Sequence, residues 1–385
     1  MTSDRVAQFL AAAEPETPFL VIDLEAIAQK YQALCQLLPK AQIYYAIKAN
    51  PEAEVLNCLQ QLGSNFDAAS IFEIQRCLET GARPEQISYG NTIKKAQDIA
   101  QAYALGIRLY SFDSLAELEK LAIHAPGARV YCRLLIETQG AQWSLGRKFG
   151  CEPEMAYDLL VHAQRFGLVA DGVAFHVGSQ QTDPLQWEQP IRLAAELFER
   201  LKQVDVHLNL LNLGGGFPAH YRSPVPEEIT YAESIQASLA RHFGAELPLV
   251  MLEPGRSLVA DAGVLYTEVI LIAKKSYADD LRWVFLDAGK FNGLIETLGD
   301  CIQYRILMDK SDEWGETASL GEMNSVILAG PTCDSADIIY EKADYKLPLG
   351  LKIGDRLKIL STGAYTHTYA SVGFNGFPPL KVYCV

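Results

Sequence analysis

The sequence offers little cysteine chemistry. Its eight cysteines, at positions 35, 58, 77, 132, 151, 301, 333 and 384, form no CxxC pair and have no histidine nearby. Neither a zinc site nor a disulfide framework is signalled, and no metal ligands are read from the chain. Also missing is any run of about eighteen apolar residues, which excludes a helix crossing a bilayer. The opening MTSDRVAQFLAAAEPETP lacks the basic start and unbroken apolar core of a signal peptide, so a cytoplasmic protein is expected. Positive charge is in deficit: 33 Lys+Arg stand against 47 Asp+Glu, a formal net charge of −14. That balance repels phosphate backbones, argues against nucleic acid as a partner and suits cationic small molecules. What the chain does have is size: 385 residues, 49% of them hydrophobic, fit about two domains at roughly 100–200 residues each.

Between residues 24 and 255 one pattern recurs: a short β-branched run, a polar or glycine-containing turn, then a stretch with helical apolar spacing. The strand candidates are 43–47, 64–67, 87–90, 108–112, 128–136, 172–177, 208–213 and 248–253. Intervening stretches such as LEAIAQKYQALCQLL and QPIRLAAELFERLKQV are long enough to connect parallel strands. About eight such units fit a TIM-like (β/α)8 barrel, with an open doubly wound sheet as the alternative. After residue 255 the runs alternate (GVLYTEVILIAKKS, RWVFLDAG, SVILAG, RLKILS, LKVYCV), so residues 256–385 are expected to form a mostly β domain. The strand-like segment 17–24 is expected to pair with that sheet, joining residues 1–23 to the C-terminal domain. The polar stretch 308–324 reads as its loosest loop.

In a barrel of this kind the chemistry sits at the C-terminal strand ends. Those ends carry Lys48, Asp67, Arg133, His176, Gly214-Gly215-Gly216, Glu253 and, just beyond, Arg256. Lys48 after an apolar strand suits the neutral amine that a Schiff base needs, or is a lysine snorkelling to solvent. The glycine run lets backbone N–H groups approach an anion, or is a flexible turn; Arg256 would add a charge-assisted contact. Glu253 would balance a protonated ring nitrogen, with Arg256 as the other possible partner. His176 either stacks on a planar cofactor, with Ser179 as a further phosphate donor, or is a satisfied core histidine. Ser70-x-x-Glu73 is also a capping box, so Glu73 serves either the site or its own helix. Two C-terminal stretches, GPTCDSAD and GAYTHTYASVGFNGF, hold groups able to move a proton or bind a cation or phosphate, among them Cys333, Asp334 and Tyr365.

YAIKAN, FDAAS, HVGSQ, LGGGF, EPGR, GPTCDSAD and GAYTHTYASVGFNGF, in this order, resemble the fold-type III pyridoxal-phosphate-dependent amino acid decarboxylases, closest to the bacterial ornithine and lysine/ornithine branch. The resemblance implies pyridoxal 5'-phosphate as cofactor and a homodimer whose two active sites each join one subunit's barrel to the other's C-terminal domain. It implies that Lys48 bonds the cofactor, His176 stacks on its ring and Glu253 pairs with the ring nitrogen. Gly214, Gly215, Gly216, Ser179, Arg256 and Tyr365 would hold the phosphate, with Asp67, Glu73 and Arg133 around the ring. Cys333 would return a proton after carbon dioxide leaves, and Asp334 would bind the substrate's distal ammonium. Lys148 and Asp337 match a salt bridge across such dimers, and Gly363 matches an interface glycine.

The implied activity is decarboxylation of L-ornithine to putrescine in polyamine biosynthesis, with L-lysine to cadaverine as a second reaction. Either Glu296 or Asp300 would lie at the far end of the substrate pocket. Arginine and meso-diaminopimelate remain alternatives, although Asp334 would repel the extra carboxylate of the latter. A catalytically silent regulatory homologue and a racemase on the same barrel are readings of other classes. The presence of Lys48, His176, Glu253, Arg256, Cys333 and Tyr365 together argues against the first, and Cys333-Asp334 with the full-length resemblance argues against the second.

Overall fold

The computed structural model describes residues 4–137, 139–143, 148–309 and 322–385, so most of the stretch expected as the loosest loop lies outside the described residues. The chain divides into a unit of residues 28–218 and 225–258 and a unit of residues 1–27, 219–224 and 259–385. The short stretch 219–224 groups with the second unit although it falls between two barrel strands in sequence, a placement the βα rhythm does not foretell. Among the described residues no helix is long and apolar enough to cross a membrane.

In the first unit eight parallel strands close on themselves: Ala41–Ala46, Asn65–Ala68, Ile87–Tyr89, Leu109–Phe112, Arg129–Arg133, Val169–Ala174, Leu210–Asn212 and Leu249–Leu252. The eighth strand pairs with the first, Val250 opposite Ala41, and the seventh bridges its neighbours, Leu210 lying opposite both Gly172 and Leu249. Closure leaves no edge, so the open-sheet alternative falls. Helix formation between strands follows local rules. In Glu188–Lys202 the buried residues Ile191, Ala194, Ala195, Leu197 and Leu201 recur at three- and four-residue spacing and face inward. Each fully buried leucine or isoleucine on that stripe contributes about 1.5–3 kcal/mol, so an aspartate at Leu197 would break it.

The barrel interior decides where the chemistry sits. Tyr44, Leu109, Tyr131, Ala174, Leu210 and Met251, from six strands, form one buried cluster. Side chains alternate along a strand, so positions two residues onward face the same interior one level nearer the C-terminal rim. Those positions are Ala46, Ser111, Arg133, His176, Asn212 and Glu253. A tyrosine and leucine layer thus floors a layer of ionisable and amide groups.

The second unit is an eight-stranded sheet. Its path runs Ile306–Met308, Arg356–Leu360, Gly263–Ala273, Arg282–Leu286, Met323–Ala329, Ile338–Pro348. Phe19–Ile22 pairs antiparallel with Gly263–Ala273 and parallel with Lys381–Cys384, so the N-terminal segment does join this sheet. The helix Asp4–Ala13 covers the junction, with Val6, Phe19, Val21 and Tyr266 buried and Phe9 and Leu10 packed on them. Ile338–Pro348 was not anticipated as a strand; its charged, outward Glu341 and Lys342 and two register shifts against Met323–Ala329 blur its alternation. Gly363 is buried inside this unit: a Cβ there would lie 1.8 Å from the Val259 carbonyl oxygen. Its own chain therefore demands a glycine, whatever contacts a partner makes.

Candidate active site

Lys48 follows the first strand, on the short 3-10 turn Ile47–Ala49. Its side chain is 48% exposed, more open than its apolar strand suggests, and Nζ lies 3.8 Å from Asp67 Oδ2. Asp67 ends the second strand region at 4% exposure, and its Oδ1 is buried without a hydrogen-bond partner. Burial first, then the nearby Glu253 charge, hold its carboxyl well above the usual carboxylate range, while Lys48 opposes both. Glu253 is held in place by Asn212, whose Nδ2 donates to Oε1 at 2.5 Å. The same asparagine accepts the Gly214 N–H through Oδ1 at 2.9 Å. Sequence reading passed over Asn212; the signal was a polar residue at an inward register position, two beyond Leu210.

Three glycines after the seventh strand are required by close approach. A Cβ at Gly214 would lie 2.3 Å from the Phe175 carbonyl, at Gly215 2.4 Å from the Glu253 carbonyl, and at Gly216 2.5 Å from the Gly178 carbonyl. Gly214 and Gly216 also have positive φ, 66° and 101°. The turn is therefore wedged between the ends of the sixth and eighth strands, and the flexible-turn reading fails. Beside it, the buried Arg256 donates to Ser179 Oγ from both Nε and Nη2, each at 3.2 Å. His176 Nδ1 accepts the Gly178 N–H at 2.9 Å, which leaves the ring proton on Nε2. Burial, then Arg133 and then Lys48, push its imidazole well below the ordinary histidine value, so it is neutral at pH 7.

Glu73 takes the capping role. Ser70 Oγ accepts the Glu73 N–H at 3.2 Å, and Glu73 Oε2 accepts the Ala69 N–H at 2.6 Å. This carboxylate is committed to the start of helix Ile71–Glu79, although it stands near enough to Lys48 to feel its charge. Arg133 ends the fifth strand, its guanidinium 5.4 Å from the Phe149 ring centre.

The second unit carries the remaining candidates. Cys333 and Asp334 are exposed; the Cys333 N–H donates to Asn375 Oδ1 at 3.1 Å, and Asp334 Oδ1 accepts the Ala336 N–H at 2.8 Å. Tyr365 has φ 55° and its ring lies 5.7 Å from that of Tyr369. Of the two acidic candidates for the far end of the pocket, Glu296 is 2% exposed, and Asp300 is half-buried, its Oδ2 accepting the Lys342 N–H at 2.9 Å. Asp337, expected to face Lys148 of a partner, is 3% exposed with both oxygens taken by its own unit.

The barrel rim fits pyridoxal phosphate. Its acidic group, Asp67 with an unpartnered buried oxygen beside Glu253, calls for a cation such as a protonated ring nitrogen. Its anion-binding group, the glycine turn with Ser179 and Arg256, suits a phosphate. Residues 24–260 match the family model described as the pyridoxal-dependent decarboxylase, pyridoxal binding domain. Across 376 residues the chain is 34% identical to the lysine/ornithine decarboxylase of Selenomonas ruminantium, covering 97% of this chain and 91% of that protein. The lysine/ornithine decarboxylase of Vibrio vulnificus, solved with cadaverine, superposes with a TM-score of 0.87 at 29% identity over 100% of both chains. The arginine decarboxylase of Paramecium bursaria Chlorella virus gives 0.88 at 27% identity over 99% of both. With a rim built for this cofactor and relatives matched over nearly its whole length, the chain belongs to the fold-type III pyridoxal-phosphate-dependent amino acid decarboxylases, in the lysine/ornithine branch, and is a carboxy-lyase.

Proposed function

We propose that the chain converts L-ornithine to putrescine and carbon dioxide, accepts L-lysine as a second substrate, and so supplies diamines for polyamine synthesis. The observation that carries this reading is the exposed pair Cys333-Asp334, a proton donor adjacent to a carboxylate able to take a distal ammonium. A basic substrate also suits the net charge of −14. Asp334 would bind the distal ammonium, and either Glu296 or Asp300 would lie at the far end of the pocket.

Bound pyridoxal phosphate supplies the electron sink that accepts the electron pair of the broken carbon–carboxylate bond. The residues supply everything else. Lys48 Nζ would be the amine that holds the cofactor's aldehyde group. Glu253, fixed by Asn212, would hold a proton at the ring nitrogen, and Asp67 would add negative potential there. His176, neutral, would pack on the ring without adding charge. The glycine turn, Ser179, Arg256 and Tyr365 would hold the phosphate, with Arg133 among the groups around the ring. Cys333 of one subunit returns the proton in the active site of the other, which makes a homodimer the working form.

The test is carbon dioxide release by the purified protein with pyridoxal phosphate, given L-ornithine, L-lysine, L-arginine and meso-diaminopimelate separately at equal concentration. Ornithine should lead, with lysine second. A lead by arginine or meso-diaminopimelate would overturn the assignment.

A further inference from the structure

The segment 294–304 carries both acids considered for the far end of the pocket, and a tyrosine on a neighbouring strand holds its backbone. Tyr340, on Ile338–Pro348, is 1% exposed. Its hydroxyl makes two bonds to that segment, donating to the Ile302 carbonyl at 2.7 Å and accepting the Tyr304 N–H at 2.8 Å. Burial first of all holds this hydroxyl well above the ordinary tyrosine range, so it keeps the proton it donates. Ile302 passes the constraint on, since its own N–H donates to the Glu296 carbonyl at 3.1 Å. Two residues along the strand from Tyr340, the Lys342 N–H donates to Asp300 Oδ2 at 2.9 Å. Gly299 and Asp300 take left-handed backbone, φ 65° and 57°, where the segment turns back. Gln303 has a separate bond, its carbonyl accepting the Arg222 N–H at 2.8 Å. Tyr340 is itself held by the Tyr345 ring, stacked on it at 4.7 Å and 13°. Glu296 and Asp300 are thus both referenced to one strand.

We propose that Tyr340 is a specificity-determining positioning residue: through Ile302 and Tyr304 its hydroxyl fixes how deep the segment 295–300 stands, and so the length of side chain the enzyme prefers. The proposal rests on the reading given above, that Glu296 or Asp300 lies at the far end of the pocket, and it holds for either. Ornithine and lysine differ by one methylene, a difference that a fixed pocket can discriminate by about ten- to two-hundredfold. A wall free to retreat loses that discrimination. A hydroxyl that merely satisfied two buried backbone groups would support stability and leave the preference alone.

Tyr340→Phe keeps the ring and its stack on Tyr345 but deletes the hydroxyl, leaving the Ile302 carbonyl and the Tyr304 N–H without that partner. Hydrogen–deuterium exchange of the holoenzyme reads the change without turnover: peptides covering 295–304 should exchange about tenfold faster, the scale of one unsatisfied buried polar group, with barrel peptides unchanged. The ornithine-to-lysine ratio of kcat/KM should fall about three- to tenfold as the wall yields to the longer chain, while affinity for pyridoxal phosphate stays at the wild-type value. Tyr345→Phe is the control, because that hydroxyl is buried without a hydrogen-bond partner among the described residues; exchange and ratio should both match wild type. If Tyr340→Phe does not fold, Tyr345→Leu, which takes away the stacked ring, should move the same peptides and the same ratio by a few-fold. Wild-type exchange across 295–304 overturns the proposal. So does faster exchange with an unaltered substrate ratio, which would leave Tyr340 a structural residue only. The substrate reading fails separately, in the wild type: a lead by arginine or meso-diaminopimelate overturns it, and the ratio of the two best substrates then reads the wall in the same way.

Discussion

The barrel rim and the 330–337 loop place reactive groups by opposite means. At the rim, Asn212 and Arg133 end their strands and Glu253 and His176 follow theirs by one and two residues, each two positions beyond a buried core residue, so hydrophobic packing beneath them sets their direction. In the loop, Cys333 and Asp334 stand exposed, held among the described residues only by backbone bonds of the turn and by Asn375 at the Cys333 amide. The rim can tune acidity because its groups are desolvated together. A change at the rim should therefore alter electrostatics and cofactor affinity, whereas one at the loop should alter where a proton lands.

The largest effect is expected from Lys48→Ala. Loss of the amine removes the covalent step, so carbon dioxide release should fall by more than about a thousandfold. The thermal midpoint should hardly move, because that side chain is half exposed and bears none of the core. A large drop in midpoint would mean that the rim is a structural element first, and the contrast with the loop would break there.

Glu253→Gln comes next. Glutamine keeps the acceptor for Asn212 but not the charge, so the loss reports electrostatics alone. A fall of about a hundred- to a thousandfold in kcat is expected, as for removal of a preorganised polar contact. Near-wild-type turnover would mean that Asp67 suffices to hold the ring proton. Gly215→Ala should cost less: the added methyl meets the Glu253 carbonyl and must displace either the turn or the end of the eighth strand. Cofactor affinity, measured by titrating the apo protein, should weaken about tenfold or more, at about 1–3 kcal/mol.

Most of the rim's placement was readable in the sequence. Short β-branched runs with a polar residue at the end put Lys48, His176 and Glu253 where the barrel period puts them, and glycines mark the close approach. Where one motif carried two meanings, as at Ser70-x-x-Glu73, only geometry could decide, and the helix cap took the carboxylate. Asn212 was hidden because its value lies in two bonds, one to a residue 41 positions away. The loop was legible in identity but not in mechanism. Hydrogen bonds join Asp337 to Lys290 across 47 residues and Cys333 to Asn375 across 42, separations at which periodicity carries no information.

The smallest effect sharpens the electrostatic half of the contrast. Burial and Glu253 raise the Asp67 carboxyl in the folded apo protein above its unfolded value near 4. Between those two values the folded chain holds a proton that the unfolded chain has lost, so the contribution of Asp67 to stability falls as pH rises through this window and stays low beyond it. Asp67→Asn removes that fall, because the amide never ionises. In urea unfolding of the apo protein, the variant should gain on wild type as pH is taken from about 4 to 7.5, by about 1 kcal/mol or more. Pyridoxal phosphate should narrow the gap, since a cationic ring nitrogen favours the ionised carboxylate that the variant lacks. A gain that is the same at both pH values would mean that asparagine merely fits better, and that the charge at the rim is not stored as strain on the empty fold.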